Sequence, residues 1–151
     1  MSQKITPFLW FDGRAEEAME FYVSIFKDAK VLEVSRRDGK VFLVSFELLG
    51  REFMGLNGGP VFKFNEAVSL FVSVETQAEV DELWEKLTEG GEPGRCGWLK
   101  DKFGLSWQIV PTALGRLMGD ADPEKARAVF EAMMKMNKIV IAELERARER
   151  A

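Results

Sequence analysis

The feature that most constrains the fold is a pattern that occurs twice. Sliding the chain by 63 residues brings Phe8 onto Phe71, Asp12 onto Glu75, Ala15-Glu16 onto Ala78-Glu79 and Phe21 onto Trp84. In the first copy, residues 5–11 alternate as a strand does, and Ala15, Ala18, Met19, Tyr22, Ile25 and Phe26 then fall on one helical face. Strand-like stretches follow at residues 31–35, 41–48 and 52–56, broken by Arg37-Asp38-Gly39 and Leu49-Gly50-Arg51. In the second copy a strand over residues 68–74 precedes a helix whose Val80, Leu83, Trp84 and Leu87 share a face and which stops before Gly90-Gly91. Strands are expected near Glu92, over residues 97–100 and over residues 105–110. Each copy reads as strand, helix, three strands, which suggests an internal duplication.

Beyond Pro111 the pattern changes. Asp122 before Pro123 signals a helix start, Ala126, Val129, Phe130 and Met133 make its apolar stripe, and Ile141, Leu144 and Ala147 mark a last helix. From Pro123 onward the chain carries seven basic and five acidic residues against a net charge of −4 for the whole, so this tail is expected to pack on its own body or on a partner subunit. We expect one α+β domain of 1–151, with unit one over about 4–60, unit two over about 66–112 and a helical tail over about 113–151.

Composition removes many chemistries. The chain has no histidine, so Ser-His-Asp and Cys-His catalysis, the HExxH zinc motif and every histidine-bearing metal triad are excluded. Acidic net charge disfavours nucleic acid as a partner, and no apolar run approaches the roughly 20 residues that cross a bilayer. One cysteine, Cys96, cannot form an internal disulfide, and a cytoplasmic location is the expectation.

AEEAMEFYVSIF after the first strand, LFVSVETQAEVDELW opening the second unit and DKFGLSWQI at the end resemble the vicinal oxygen chelate superfamily. ITPFLWFDGRAEEAMEFY, LNGGP and CGWLKDKFGLSWQIVP are more narrowly similar to its PhnB-like branch, often labelled demethylubiquinone methyltransferase-like. The resemblance runs from about Lys4 to Met136. It implies two tandem βαβββ units forming half-open barrels (the glyoxalase-like fold), with helices outside, and a homodimer. It also implies where metal ligands stand in metal-using members. Those positions are here Thr6, Ser69 and Gln108; the fourth does not align, Met54 and Leu56 being nearest. Two hydroxyls and a neutral amide bring no charge to offset the dehydration of a divalent ion, so no metal and no cofactor is expected.

If Thr6 points inward, strand parity turns Phe8 and Trp10 inward with it, and by the same rule Ser69, Phe71 and Ser73 share the inner face of the second unit with Ser106, Gln108 and Val110. The expected pocket is aromatic and uncharged, its ligand-binding residues Thr6, Phe8, Trp10, Ser69, Phe71 and Gln108, its ligand an aromatic or amphipathic small molecule. Each assignment has a plainer alternative: a self-satisfied polar cluster for Gln108, ordinary core for the aromatics, a tight turn for Asn57-Gly58-Gly59-Pro60. Glu47 as a general base and Cys96 beside Arg95 as a thiolate are the candidates for a metal-independent enzyme, and an assembly module without a ligand is the third reading.

Overall fold

The computed structural model describes residues 3–151, which fall into two compact units, one ending at Phe64 and one spanning Asn65–Ala151. The first holds β1 (Phe8–Phe11), α1 (Ala15–Ile25), β2 (Ala29–Arg37), β3 (Lys40–Leu48) and β4 (Arg51–Asn57), with sheet order β1-β4-β3-β2. β1 runs parallel to β4, and the other pairs are antiparallel. The first strand starts three residues later than the alternation predicts. Pro7 has no N–H to give a ladder, although its carbonyl accepts from Met54 N at 3.0 Å. Asp38-Gly39 and Leu49-Gly50 close the two hairpins, all four with positive φ, as two-residue turns matched to strand twist require.

α1 buries Ala15, Ala18, Met19, Tyr22 and Ile25 against one face of this sheet, where Leu9, Phe11, Val44, Phe46, Leu48 and Phe53 are also buried. Tyr22, 1% exposed, lies 6.0 Å from the Phe46 ring, which stacks on Phe53 at 5.5 Å. Tyr22 is therefore core. The opposite face is the open one.

The second unit repeats the plan: β5 (Ser69–Val74), α2 (Gln77–Thr88), β6 (Glu92–Pro93), β7 (Trp98–Lys100) and β8 (Ser106–Pro111), in the order β5-β8-β7-β6. The duplication read from the 63-residue offset thus appears as the same strand permutation in both sheets. α2 begins with a capping box in which Thr76 and Glu79 satisfy each other's backbone N–H groups.

Three helices complete this unit: α3 (Thr112–Met118), α4 (Pro123–Met134) and α5 (Ile141–Arg150). Asp122 caps α4 by accepting from Glu124 N at 3.0 Å, with Pro123 in its first turn, as the sequence indicates. α3 has no counterpart among the predicted elements. Ala113, Leu114, Leu117, Val129, Met136, Ile139 and Leu144 form a core of their own. Of the expected stripe on α4 Val129 is fully buried and Ala126 and Met133 partly so, while Phe130 remains 45% exposed because α3 and α5 cover only one side of the helix.

The tail is fastened to the second unit through polar groups. Gln77 donates to the Ile139 carbonyl at 2.9 Å and accepts from Ile141 N at 2.7 Å. Cys96 N and Gly97 N each donate, at 2.8 Å, to the carbonyls of Met136 and Asn137, and Lys138 pairs with Asp81 at 2.7 Å.

Candidate functional site

The open face of the second sheet is built in rows. One row across β5, β8 and β7 is Ser69, Ser106 and Lys100; the next is Phe71, Gln108 and Trp98. Val72, Val74, Trp107 and Ile109 point the other way and are buried. Phe71 is 60% exposed, whereas Gln108 and Trp98 are half-buried. The Gln108 amide donates to Ser69 Oγ at 2.9 Å, so it leans into the row of small hydroxyls. Ser106 is 1% exposed and its Oγ has no hydrogen-bond partner among the described residues. At the end of that row Lys100 meets Glu66 at 2.7 Å and Glu92 at 3.9 Å. The hydrogen bond from Lys100 holds the Glu66 carboxyl below the ordinary carboxylate range and the ammonium above its own.

On the first sheet Phe8 pairs in register with Met54, and Trp10 with Leu56. Phe8 is 52% exposed, and Trp10 is half-buried with Phe62 edge-on at 4.9 Å. Thr6 lies before the strand, where its hydroxyl is 3.4 Å from Gln3 Nε2. The structure therefore brings Ser69, Phe71 and Gln108 together on one sheet, and Phe8 and Trp10 on another, while Thr6 stands at a strand entrance.

The Asn57-Gly58-Gly59-Pro60 stretch supports the aromatic face. Asn57 accepts from Ala15 N at 2.8 Å, capping α1 from 42 residues away, and donates to the Val41 carbonyl at 3.1 Å. Gly58 lies under the Trp10 ring, where a Cβ would come within 2.3 Å of it, and Trp10 Nε1 donates to the Gly59 carbonyl at 2.9 Å. Gly58 is explained by the indole it seats, and Gly59 by its positive φ of 92°, which other residues rarely adopt.

Sequence reasoning missed Asp101 and Trp98. Asp101 is 2% exposed; one oxygen accepts from Phe103 N and Leu105 N, the other from Trp107 Nε1 at 2.9 Å. It ties the turn into β8, and these three donors lie within six residues of it, so an Asp-x-x-Gly turn signal was present to be read. Trp98 was available from the alternation of Gly97 to Lys100. Glu47 lies at the sheet end, 3.6 Å from Lys30 and in register with Glu52. Cys96 is half-buried with Met134 Sδ at 3.8 Å.

The donors do not fit a divalent metal. Thr6, Ser69 and Gln108 are uncharged, the Gln108 amide is engaged with Ser69, and among the described residues no three His, Cys, Asp or Glu side chains gather in a metal-holding group.

Two tandem βαβββ units with matching strand order define a protein of the glyoxalase/bleomycin resistance/dioxygenase fold. The family model for 3-demethylubiquinone-9 3-methyltransferase matches residues 3–110, and the chain belongs to that PhnB-like family. It is similar to a Bacillus cereus PhnB protein named for the same methyltransferase, at 38% identity over 72% of this chain and 99% of that one, with a TM-score of 0.68. Pseudomonas aeruginosa PA1353 shares the fold at 21% identity, covering 73% and 98%, with a TM-score of 0.60. So does the fosfomycin resistance protein FosX of Listeria monocytogenes, solved with Mn(II) and sulfate, at 16% identity, covering 72% and 91%, with a TM-score of 0.56. No curated protein matches the chain. α3, α4 and α5 lie beyond the family match.

Proposed function

We propose that this chain is a metal-free protein that binds an aromatic or amphipathic small molecule on the open faces of its sheets. The candidate contacts are Phe8 and Trp10 on the first sheet, with Thr6 at its strand entrance, and Ser69, Phe71 and Gln108 on the second sheet, each face taken by itself. The observation that carries this reading is the Phe71, Gln108 and Trp98 row: a side-chain amide between two aromatic rings, on a face that leaves Phe71 60% exposed. A sheet face serving only as core would bury such a ring, at roughly 25 cal/mol per Å² of apolar surface removed from water.

Methyl transfer, the activity in the family's name, forms no part of this reading. Methyltransferases that use S-adenosylmethionine commonly have a doubly wound parallel sheet with a glycine-rich first turn, and neither four-stranded sheet here has that order. The reading includes a homodimer, in which a second copy covers exposed sheet surface; light scattering at micromolar concentration tests it, and a monomeric mass removes it.

The central test pairs elemental analysis after chelator dialysis with thermal-shift measurements against small aromatic compounds. We expect no stoichiometric zinc, nickel or manganese. We also expect stabilisation by at least one aromatic compound, lost in Gln108→Leu and Phe71→Ala. Retained metal, or stabilisation unchanged in both variants, overturns the proposal.

A further inference from the structure

The geometry points to a neutral carboxamide or lactam edge, carried on an aromatic body, as the group recognised on the second sheet; this deepens the binding reading above and rests on it. Three observations define the head-group subsite. Ser106 Oγ is buried without a partner among the described residues, on the face it shares with Ser69 and Gln108, so one donor there is unused. The Gln108 amide donates through Nε2 to Ser69 Oγ, which leaves its carbonyl oxygen as an acceptor in the same row. Together they present a donor and an acceptor side by side, and the complementary edge is one carbonyl oxygen and one N–H.

Charge selects against the ionised relatives of such a group. Lys100, the cross-strand neighbour of Ser106, is paired with Glu66 and Glu92, so an incoming carboxylate meets two carboxylates around one occupied ammonium. An ammonium would leave the Ser106 donor with no acceptor. The body of the ligand falls beside Phe71 and Trp98, which flank Gln108 in register. Ser106 is 1% exposed in the free protein, so docking requires side chains along this row to rotate, with Gln108 keeping its bond to Ser69.

The test uses the full chain, ¹⁵N-labelled, titrated separately with benzamide, benzoate and toluene. Benzamide is expected to shift the backbone amides of Phe71, Trp98, Ser106 and Gln108 with a Kd about tenfold or more below that of benzoate. Ser106→Ala is expected to weaken benzamide about fivefold or more without lowering the melting temperature, because the hydroxyl it removes has no partner to lose. Ser106→Thr, which keeps the hydroxyl, is expected to retain most of the affinity. Benzoate or toluene binding this face as well as benzamide, or benzamide binding indifferent to Ser106→Ala, overturns the carboxamide assignment while leaving an aromatic-binding face standing. No shift on this face with any of the three overturns both.

Discussion

Replacing Asp101 with asparagine isolates what the DKFG segment does. The carboxylate is 2% exposed and receives three N–H groups, from Phe103 and Leu105 on one oxygen and Trp107 Nε1 on the other. Asparagine keeps the shape but substitutes an NH₂ for one oxygen, and the orientation that strands one donor rather than two keeps its oxygen on the turn amides and turns the NH₂ toward the indole. A hydrogen bond to a charged acceptor contributes about 1.5–3 kcal/mol, and the stranded donor costs about 1–3 kcal/mol more. Relief from burying a carboxylate offsets part of this, and we expect a net loss of about 3 kcal/mol. At about 2–4 °C per kcal/mol for a chain of this length, the melting temperature falls by about 6–12 °C. Urea unfolding followed by circular dichroism at pH 7 measures the loss directly. Trp107→Phe supplies the control: in the Asp101→Asn background it removes the stranded donor, so the double variant is expected to be about 1–3 kcal/mol more stable than the sum of the single losses implies. An Asp101→Asn protein within about 0.5 kcal/mol of wild type, or strictly additive losses, would refute the clamp.

Two further predictions concern other parts of the fold. Gly58→Ala places a methyl group 2.3 Å from the Trp10 ring and is expected to cost about 1–3 kcal/mol, with the loss shrinking in a Trp10→Phe background; equal losses in both backgrounds contradict the packing argument. Acid sensitivity of the tail follows from two carboxylates. Lys138 and then Gln77 hold Asp81 below its ordinary pKa, and the Asp122 backbone N–H followed by Arg148 does the same for Asp120. Since both folded-state pKa values are depressed, the stabilisation is fully present above the unfolded value near 3.9 and is lost as pH falls through the folded values. Hydrogen exchange at Ile139 and Leu144 is therefore expected to stay flat from pH 7 to 5, after correction for intrinsic rates, and to accelerate below about pH 4. In Asp81→Asn/Asp120→Asn the acceleration is shallower, and identical profiles would remove these groups from the account.

What could be read from the sequence followed the range of the interactions involved. Alternation and 3.6-residue spacing located both βαβββ units, since they depend on neighbours a few positions apart, and the Asp122-Pro123 start of α4 is likewise local. α3 escaped notice because TALGRLM carries a central glycine and follows directly on a strand, with no polar cap between. Parity put Ser69, Phe71 and Gln108 on shared faces, and the register bears that grouping out. Thr6 followed the same rule only as far as Pro7 allowed the strand to extend. The capping of α1 by Asn57 and the seating of Trp10 over Gly58 join positions more than 40 residues apart, and no local period records them. Phe130 looked like core because its spacing is right, yet which side of a helix is covered depends on where its neighbours pack.

The carbonyls of Met136 and Asn137 end on the amides of Cys96 and Gly97, one residue before Trp98. The helical appendage is thus stitched, main chain to main chain, to the turn that delivers an aromatic wall beside Gln108. Trimming the polypeptide to the span it shares with its relatives would strip two acceptors from that turn and leave Gln77 only Asp81 to bond. Whatever loosens the appendage is therefore felt at the face that carries Gln108, and an occupant of that proposed recognition surface should steady the appendage in return.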